Sequence, residues 1–425
     1  MDRTNEKYKT YLNILKKELI PAMGCTEPVA LAYAASVAKD TLGKIPTKVI
    51  ANVSGSIIKN VKSVYIPNTN KMKGIPAAVA VGIIAGKSEK KLEVISKVSK
   101  EQIEQVKQYM EQTEIVVKHM EDGNLFDIIL VFYEGDDYVK VRLASHHTNI
   151  VLIEKNGTVL KELEVQQEIE DEEKKLLNLV DILDFANTVD IDDVKEILDR
   201  QIEYNMGIAR EGLKTDYGAN VGKVLLDMGE NSINVKAKAM AAAGSDARMN
   251  GCELPVVINS GSGNQGITTS VPVIVYADEM GVEQEKKYRA LVLSNLVTIH
   301  QKTPIGTLSA YCGAVSAGAG AGAGIAYLHG GGIKEIEHTV VNALAIVSGI
   351  VCDGAKASCA GKIASAVEAG ILGYNMYIRG QQFLGGDGIL AKGAENTIQN
   401  VGRLGKYGMK ETNNEIIKIM LGNEE

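Results

Sequence analysis

Five cysteines, Cys25, Cys252, Cys312, Cys352 and Cys359, carry the most reactive side chains of this 425-residue chain. A thiolate is both a nucleophile and a soft metal ligand. Cys352-Asp353-Gly354-Ala355-Lys356-Ala357-Ser358-Cys359 places two thiols on either side of a glycine, and Cys312 stands well upstream at the head of a Gly/Ala run. Zinc sites use short paired spacings with histidine at hand. Wide spacing in a Gly-rich, His-poor setting better suits an iron–sulfur cluster held by three thiolates. Three ligands on a four-iron cube leave one iron open, and an open iron is a Lewis acid. Buried structural cysteines, or another metal or redox role, are the alternatives that spacing alone leaves standing. Cys25, in Met23-Gly24-Cys25-Thr26-Glu27, precedes a helix opened by Pro28. Unpaired N–H groups at such a terminus favour a thiolate.

A second constellation is polar. Gly244-Ser245-Asp246-Ala247-Arg248-Met249 is followed by Asn259-Ser260-Gly261-Ser262-Gly263-Asn264-Gln265-Gly266. Ser260, Gly261 and Ser262 offer free backbone N–H groups, and the amides of Asn264 and Gln265 add orientation, so the segment can form a nest for a carboxylate or phosphate. It lacks the Lys-Ser/Thr of a phosphate-binding loop and does not match Gly-x-Gly-x-x-Gly, which argues against a nucleotide. The plain alternative is a tight loop between helices. Of six histidines, only His146-His147-Thr148-Asn149 forms a polar cluster. It reads as a surface pair or as a substrate-positioning site at His147. Lys59-Asn60, after Ser54-Gly55-Ser56, is either a polar turn or a group that reaches a carboxylate.

These residues need elements to hold them. Tyr8, Tyr11, Leu12, Leu15, Leu19 and Ile20 recur at helical spacing, Pro21 breaks the pattern, and Pro28 restarts it. Between about 46 and 170 the period changes. Strands are expected at 48–53, 63–66, 114–118, 126–132, 138–143, 149–154 and 158–161, with Lys155-Asn156-Gly157 as a hairpin turn. Helices are expected near 75–86 and 89–112. An acidic run over 162–173 reads as a solvated helix face or linker. Beyond it nearly everything reads helical, and the Gly/Ala run 314–324 is expected to be a buried helix rather than a flexible repeat. Each glycine there costs about 1 kcal/mol relative to alanine, so close packing must compensate. The expected fold class is α+β. Residues 1–44 form N-terminal helices on the helical domain, 45–165 a small α+β domain with a mixed or antiparallel sheet, and 175–425 a larger all-α catalytic domain rich in Gly/Ala helices.

Composition agrees with such a chain. Glycine is 43 residues, above the usual share of about 7%, and there is no Trp and only four Phe, so small aliphatics must build the core. A formal net charge of -7 gives no electrostatic reason to bind nucleic acid or an anionic membrane. The start of the chain lacks a basic-then-apolar leader and no stretch reads as a membrane span, so a cytoplasmic protein without disulfides is expected. Small-residue helical faces lead to the expectation of a homodimer.

Taken in order, Gly24-Cys25-Thr26-Glu27-Pro28, His147-Thr148-Asn149, Ser245-Asp246-Ala247-Arg248-Met249, Asn259 through Gly266, Cys312, and Cys352-Asp353-Gly354-Ala355 with Cys359 resemble the L-cysteine desulfidase family. The C-terminal part is similar to the catalytic alpha domain of iron–sulfur L-serine dehydratases. The resemblance implies a carbon–sulfur lyase with a 4Fe–4S cluster that eliminates the β-substituent of a small amino acid without pyridoxal phosphate. From cysteine the products are pyruvate, sulfide and ammonia. It implies Cys312, Cys352 and Cys359 as cluster ligands, with Cys25 facing the open iron or the substrate; the other assignment makes Cys25 a ligand in place of Cys359. Ser260, Gly261, Ser262, Asn264 and Gln265, with Lys59, Asn60 and Arg248, would bind the substrate. The base that takes the Cα proton is open among Cys25, His147 and Lys356. Cys252 belongs to no motif. Serine dehydratase activity on the same scaffold, or a non-catalytic iron–sulfur amino-acid sensor, are the other readings.

Overall fold

The computed structural model describes residues 1–121, 124–165, 171–306 and 309–422. Its first part runs α1 (Glu6–Glu18), β1 (Pro21–Met23), α2 (Thr26–Leu42), β2 (Lys48–Ser54), α3 (Gly55–Val61), α4 (Gly74–Ala85), α5 (Lys100–Gln112), β3 (Glu114–Met120), β4 (Asp127–Glu134), β5 (Asp137–Ala144), β6 (Ile150–Lys155) and β7 (Thr158–Glu162). Alternation dictates how these pack. Val49, Ala51 and Val53 of β2 stand opposite Phe132, Leu130 and Ile128 of β4, which in turn face Val139, Val141 and Leu143 of β5. All nine are buried, and α2 and α4 cover this apolar face. The sheet order is β3-β2-β4-β5-β6-β7, parallel between β2 and β3 and antiparallel elsewhere, so the sheet is mixed. At the β6–β7 hairpin Asn156 and Gly157 have φ of 49° and 80°, the left-handed pair that a tight primed turn requires.

The second part is helical: α6 (Leu179–Thr188), α7 (Ile191–Lys214), α8 (Val221–Met228), α9 (Ile233–Met249), the short β8 (Pro255–Val257), α10 (Gly263–Glu279), α11 (Gln284–Lys302), α12 (Gly313–Leu328), α13 (Ile333–Val347), α14 (Cys359–Tyr377), α15 (Ala394–Arg403) and α16 (Lys410–Leu421). With the sheet before it, the fold is α+β. The Gly/Ala run is the buried helix α12, enclosed by α10, α11, α13 and α14. A Cβ on Gly318 would lie 2.3 Å from the Ala366 carbonyl of α14, and one on Gly370 would lie 2.2 Å from the Gly318 carbonyl. Here the two backbones touch, and contact along the seam offsets the poor helix propensity.

Several expectations differ from the structure. Residues 1–44 divide between two cores where a single attachment was expected. In α1, Tyr8 and Tyr11 lie edge-on to Phe185 of α6, whereas α2 is buried against the sheet. The link between them is fixed by β1, which pairs antiparallel with β8, a strand too short to signal itself. Residues 63–66 make only an isolated bridge, Tyr65 to Lys73. The helix expected over 89–112 starts at Lys100, because Ser99 and Gln102 form a reciprocal capping box there. Of the acidic run, 166–170 lies outside the described residues, while the Glu173 carboxylate accepts from Asn13 and Lys17 of α1.

Two glycines test the packing argument against propensity. Gly207 in α7 has nothing within 4 Å of an added Cβ, so Gly207→Ala should raise the unfolding free energy by about 0.4–1 kcal/mol. Gly318→Ala gains the same propensity but must displace the α14 backbone, and should lower it by about 1–3 kcal/mol. Urea denaturation of both variants checks the pair.

Candidate active site

A cavity of about 1600 Å³ is lined from both cores. Four helices begin at its wall: α2 behind its N-cap Cys25, α10 behind its N-cap Ser262, α12 behind its N-cap Cys312, and α14 with Cys359. The first N–H groups of a helix have no intrahelical acceptor and carry the positive end of its dipole. Four such ends around one space favour negative charge in it.

Three thiols meet there because two distant loops are stitched together. Tyr311 and Val351 form an antiparallel bridge, the Cys312 N–H donates to the Ile350 carbonyl at 3.1 Å, and the Cys352 N–H donates to the Ala310 carbonyl at 2.6 Å. The chain then turns at Gly354, with φ of 95°, where a Cβ would lie 2.0 Å from the Lys59 carbonyl. Only glycine lets this loop rest on α3. Cys359 follows, its Sγ 3.6 Å from the Gly354 carbonyl. Burial pushes the Cys312 thiol up to about 12, reinforced by Cys352 and Cys359, and burial raises Cys359 as well. Clustered buried thiols ionise together only when a cationic centre displaces their protons. Among the described residues no three His, Cys, Asp or Glu side chains converge as on a single metal ion. A cluster spreads its thiolates over separate irons. Cys312, Cys352 and Cys359 are soft donors on one cavity wall.

Cys25 sits in a small apolar group with Val64 and Met249, with Cys359 packed against it. Its helix-N-terminal position is as expected. Burial raises the thiol to about 11, opposed by Arg248. Cys252 does not line the cavity and packs in the helical core.

The segment before α10 is a tight turn. Asn259 and Ser262 exchange backbone hydrogen bonds of 3.1 and 3.0 Å, with Ser260 and Gly261 left-handed between them. A buried amide ladder fixes this turn. The Ser260 hydroxyl donates to Asn259, Asn259 donates to Asn295 at 2.9 Å, and Asn295 exchanges bonds with Gln201. Arg248 lies against Gly263, donating to the Gly24 carbonyl at 2.9 Å and to Asn264 at 3.2 Å. The Arg248 Nε and the Gln265 Oε1 have no hydrogen-bond partner among the described residues.

Lys59, Asn60 and His147 also line the cavity. Lys59 is 1% exposed and donates to Asn413 of α16 at 2.7 Å and to the Ser309 carbonyl at 3.5 Å. Burial lowers its pKa, opposed by Cys352 and Asp353. The His147 ring packs edge-on to Phe126, burial holds its pKa below the ordinary histidine value, and its Nε2 has no partner among the described residues. Lys356 is a correction. It does not line the cavity, and its ammonium turns back onto the Asp353 carboxylate and the carbonyls of Asp353 and Gly354, so it is no free base. Two residues went unassigned in the sequence. Lys362 anchors the Val351 carbonyl at 2.8 Å and the Asp353 carboxylate. Glu27 reaches the cavity, and its signal is an acid just ahead of the apolar stretch from Pro28 to Ala35, within the Gly-Cys-Thr-Glu-Pro motif.

A sequence model described as serine dehydratase alpha chain matches residues 89–418. That span starts inside the α+β part, earlier than the expected helical domain. The chain is 61% identical to a UPF0597 protein of Desulfitobacterium hafniense, covering 99% of this chain and 98% of the relative. It is 51% identical to a UPF0597 protein of Lachnoclostridium phytofermentans (97% and 100% covered) and 44% identical to one of Treponema denticola (99% and 100%). It belongs to the UPF0597 family, related to the serine dehydratase alpha chain. No helix among the described residues is long and apolar enough to cross a membrane.

One buried acid of α9 gives a pH test. Asp246 of α9 accepts from the Gly222 N–H at 2.9 Å, its other oxygen has no partner among the described residues, and burial raises its pKa to about 6. In the unfolded chain an Asp ionises near about 3.9. Between these values only the unfolded state loses its proton, so stability falls as pH rises from about 4 to 6 and is flat above. Asp246→Asn should remove that slope in urea midpoints measured across this range.

Proposed function

We propose that this chain is an iron–sulfur lyase that eliminates sulfide from L-cysteine, leaving pyruvate and ammonia, without pyridoxal phosphate. The observation that carries this reading is the meeting of Cys312, Cys352 and Cys359 with an anion cradle at the N-termini of four helices, in one cavity. The three thiolates would hold a 4Fe–4S cluster, whose open iron supplies Lewis acidity toward the leaving β-substituent. The helix N-termini favour the negative charge of the thiolates.

The chain's own residues do the rest. Arg248 and the N–H groups of Ser260 and Gly261 take the substrate carboxylate, and because Asn264 and Gly24 hold Arg248 while the amide ladder holds the turn, they need little reorganisation. His147 is the base best supported, being neutral at pH 7, lodged in the wall and unpartnered at Nε2. It accepts the Cα proton, the C–S bond breaks with its electron pair on sulfur, and a carbon–carbon double bond forms. The aminoacrylate then hydrolyses in water. Cys25, a buried thiol beside Cys359, suits packing near the β-substituent better than proton abstraction. A second reading, dehydration of L-serine, is favoured by the serine dehydratase alpha chain match.

Anaerobic reconstitution followed by parallel assays of L-cysteine and L-serine tests both. Thiolate is the softer ligand and the better leaving group, so L-cysteine should show the higher kcat/KM. A higher value for serine would assign the dehydratase, and pyruvate from neither would end the lyase reading. His147 must be unprotonated to act, and it faces Glu27 and His146. The wild-type kcat/KM should therefore fall as pH drops through a pKa below about 6.5. In His147→Gln, activity should drop by about 100-fold or more and the acid limb should vanish.

A further inference from the structure

We infer that Glu27 receives the α-ammonium group of the substrate and so makes the cavity selective for amino acids over carboxylic acids that lack nitrogen. The inference rests on the amino-acid reading above and assigns the half of the zwitterion that the cradle leaves unbound.

Glu27 lies in the first turn of α2, whose next residues, from Pro28 to Ala35, are all buried and uncharged. Its carboxylate lines the cavity and is held by two neutral donors, the Asn60 amide at 3.2 Å on one oxygen and the Thr26 hydroxyl at 3.2 Å on the other. Among the described residues no Lys or Arg pairs with it. Two other carboxylates that do not line the cavity each have cations: Asp127 has Arg142, and Asp353 has Lys356 and Lys362. Neutral donors fix a carboxylate's orientation without neutralising it, which leaves a charge awaiting a counter-ion. Glu27 also stands close enough to Cys25 and His147 to act electrostatically on both.

The cationic counterpart is tied to the same short segment. The Arg248 guanidinium donates to the carbonyl of Gly24, in the turn that leads directly into Glu27. One loop thereby fixes a positive group toward the cradle and a negative group beside the proton acceptor. An α-amino acid presents its carboxylate and ammonium on one carbon, and this pairing matches both. With the two ends bound, the Cα hydrogen is left to His147.

The test is equilibrium binding to the anaerobically reconstituted protein, by calorimetry, of L-2-aminobutyrate and butyrate. These ligands share the carboxylate and side chain, cannot eliminate, and differ only in the ammonium group. The wild type should bind L-2-aminobutyrate at least tenfold more tightly. Glu27→Gln should lose most of that preference, with iron content, Tm and butyrate affinity unchanged. Glu27→Asp, which keeps the charge, should retain it and serves as the informative variant if Glu27→Gln does not fold. A preference intact in Glu27→Gln overturns the inference while leaving the lyase reading untouched, and if kcat alone collapses then Glu27 is the proton acceptor instead. Binding of neither ligand, with no pyruvate from cysteine, overturns the inference together with the reading beneath it.

Discussion

Four helix N-termini facing one cavity are a set of like partial charges, each worth about half an elementary charge, held together by the packing behind them. Such an arrangement is costly unless something negative occupies the space. Under the proposed function, thiolates from Cys312 and Cys359, each at the head of its own helix, and a substrate carboxylate at the head of α10 would be those anions. The arrangement also depends on how closely α12 and α14 approach. Their backbones touch at Gly318 and Gly370, and a side chain there would push apart the two helices that carry these cysteines. Glycine content and thiol placement are thus one feature seen at two levels.

The cavity also depends on the seam between the cores. The β1–β8 pair fixes the turn that delivers Cys25 and Glu27, and the Gly24 carbonyl in that turn holds Arg248. From the other side α16 reaches α3, where Asn413 holds the Lys59 ammonium and Ile417 packs so tightly on Gly55 that a Cβ there would be 2.4 Å away. Neither core could form the site alone. The helical part supplies the α10 turn and three thiols, and the sheet part supplies Lys59, Asn60 and His147.

Much of this was legible before any coordinates, because the signals were local. The Asn156-Gly157 turn, the alternation in β2, β4 and β5, and the buried character of the Gly/Ala run follow from backbone sterics and side-chain period. What was not legible depended on contacts far apart in the chain. That α2 joins the sheet while α1 joins the helices is decided by which face finds a partner, not by helical period. Cys25 stands at a helix start as the sequence indicates, but its burial, which raises the thiol pKa, comes from distant packing. Lys356 sits in the right motif, but Asp353 three residues earlier captures its ammonium. For Glu27 no local signal marks its partner, because the Asn60 amide that holds its carboxylate comes from α3.

The central claim is that three thiols and an anion cradle jointly serve one metal cluster and one substrate. Mössbauer spectroscopy of protein reconstituted anaerobically with isotopically enriched iron, before and after addition of L-cysteine, tests it most directly. The account predicts a four-iron cluster in which one iron differs from the other three and alone changes its spectrum when L-cysteine is added. Protein that takes up no iron, or a cluster whose irons are all indifferent to L-cysteine, would contradict it.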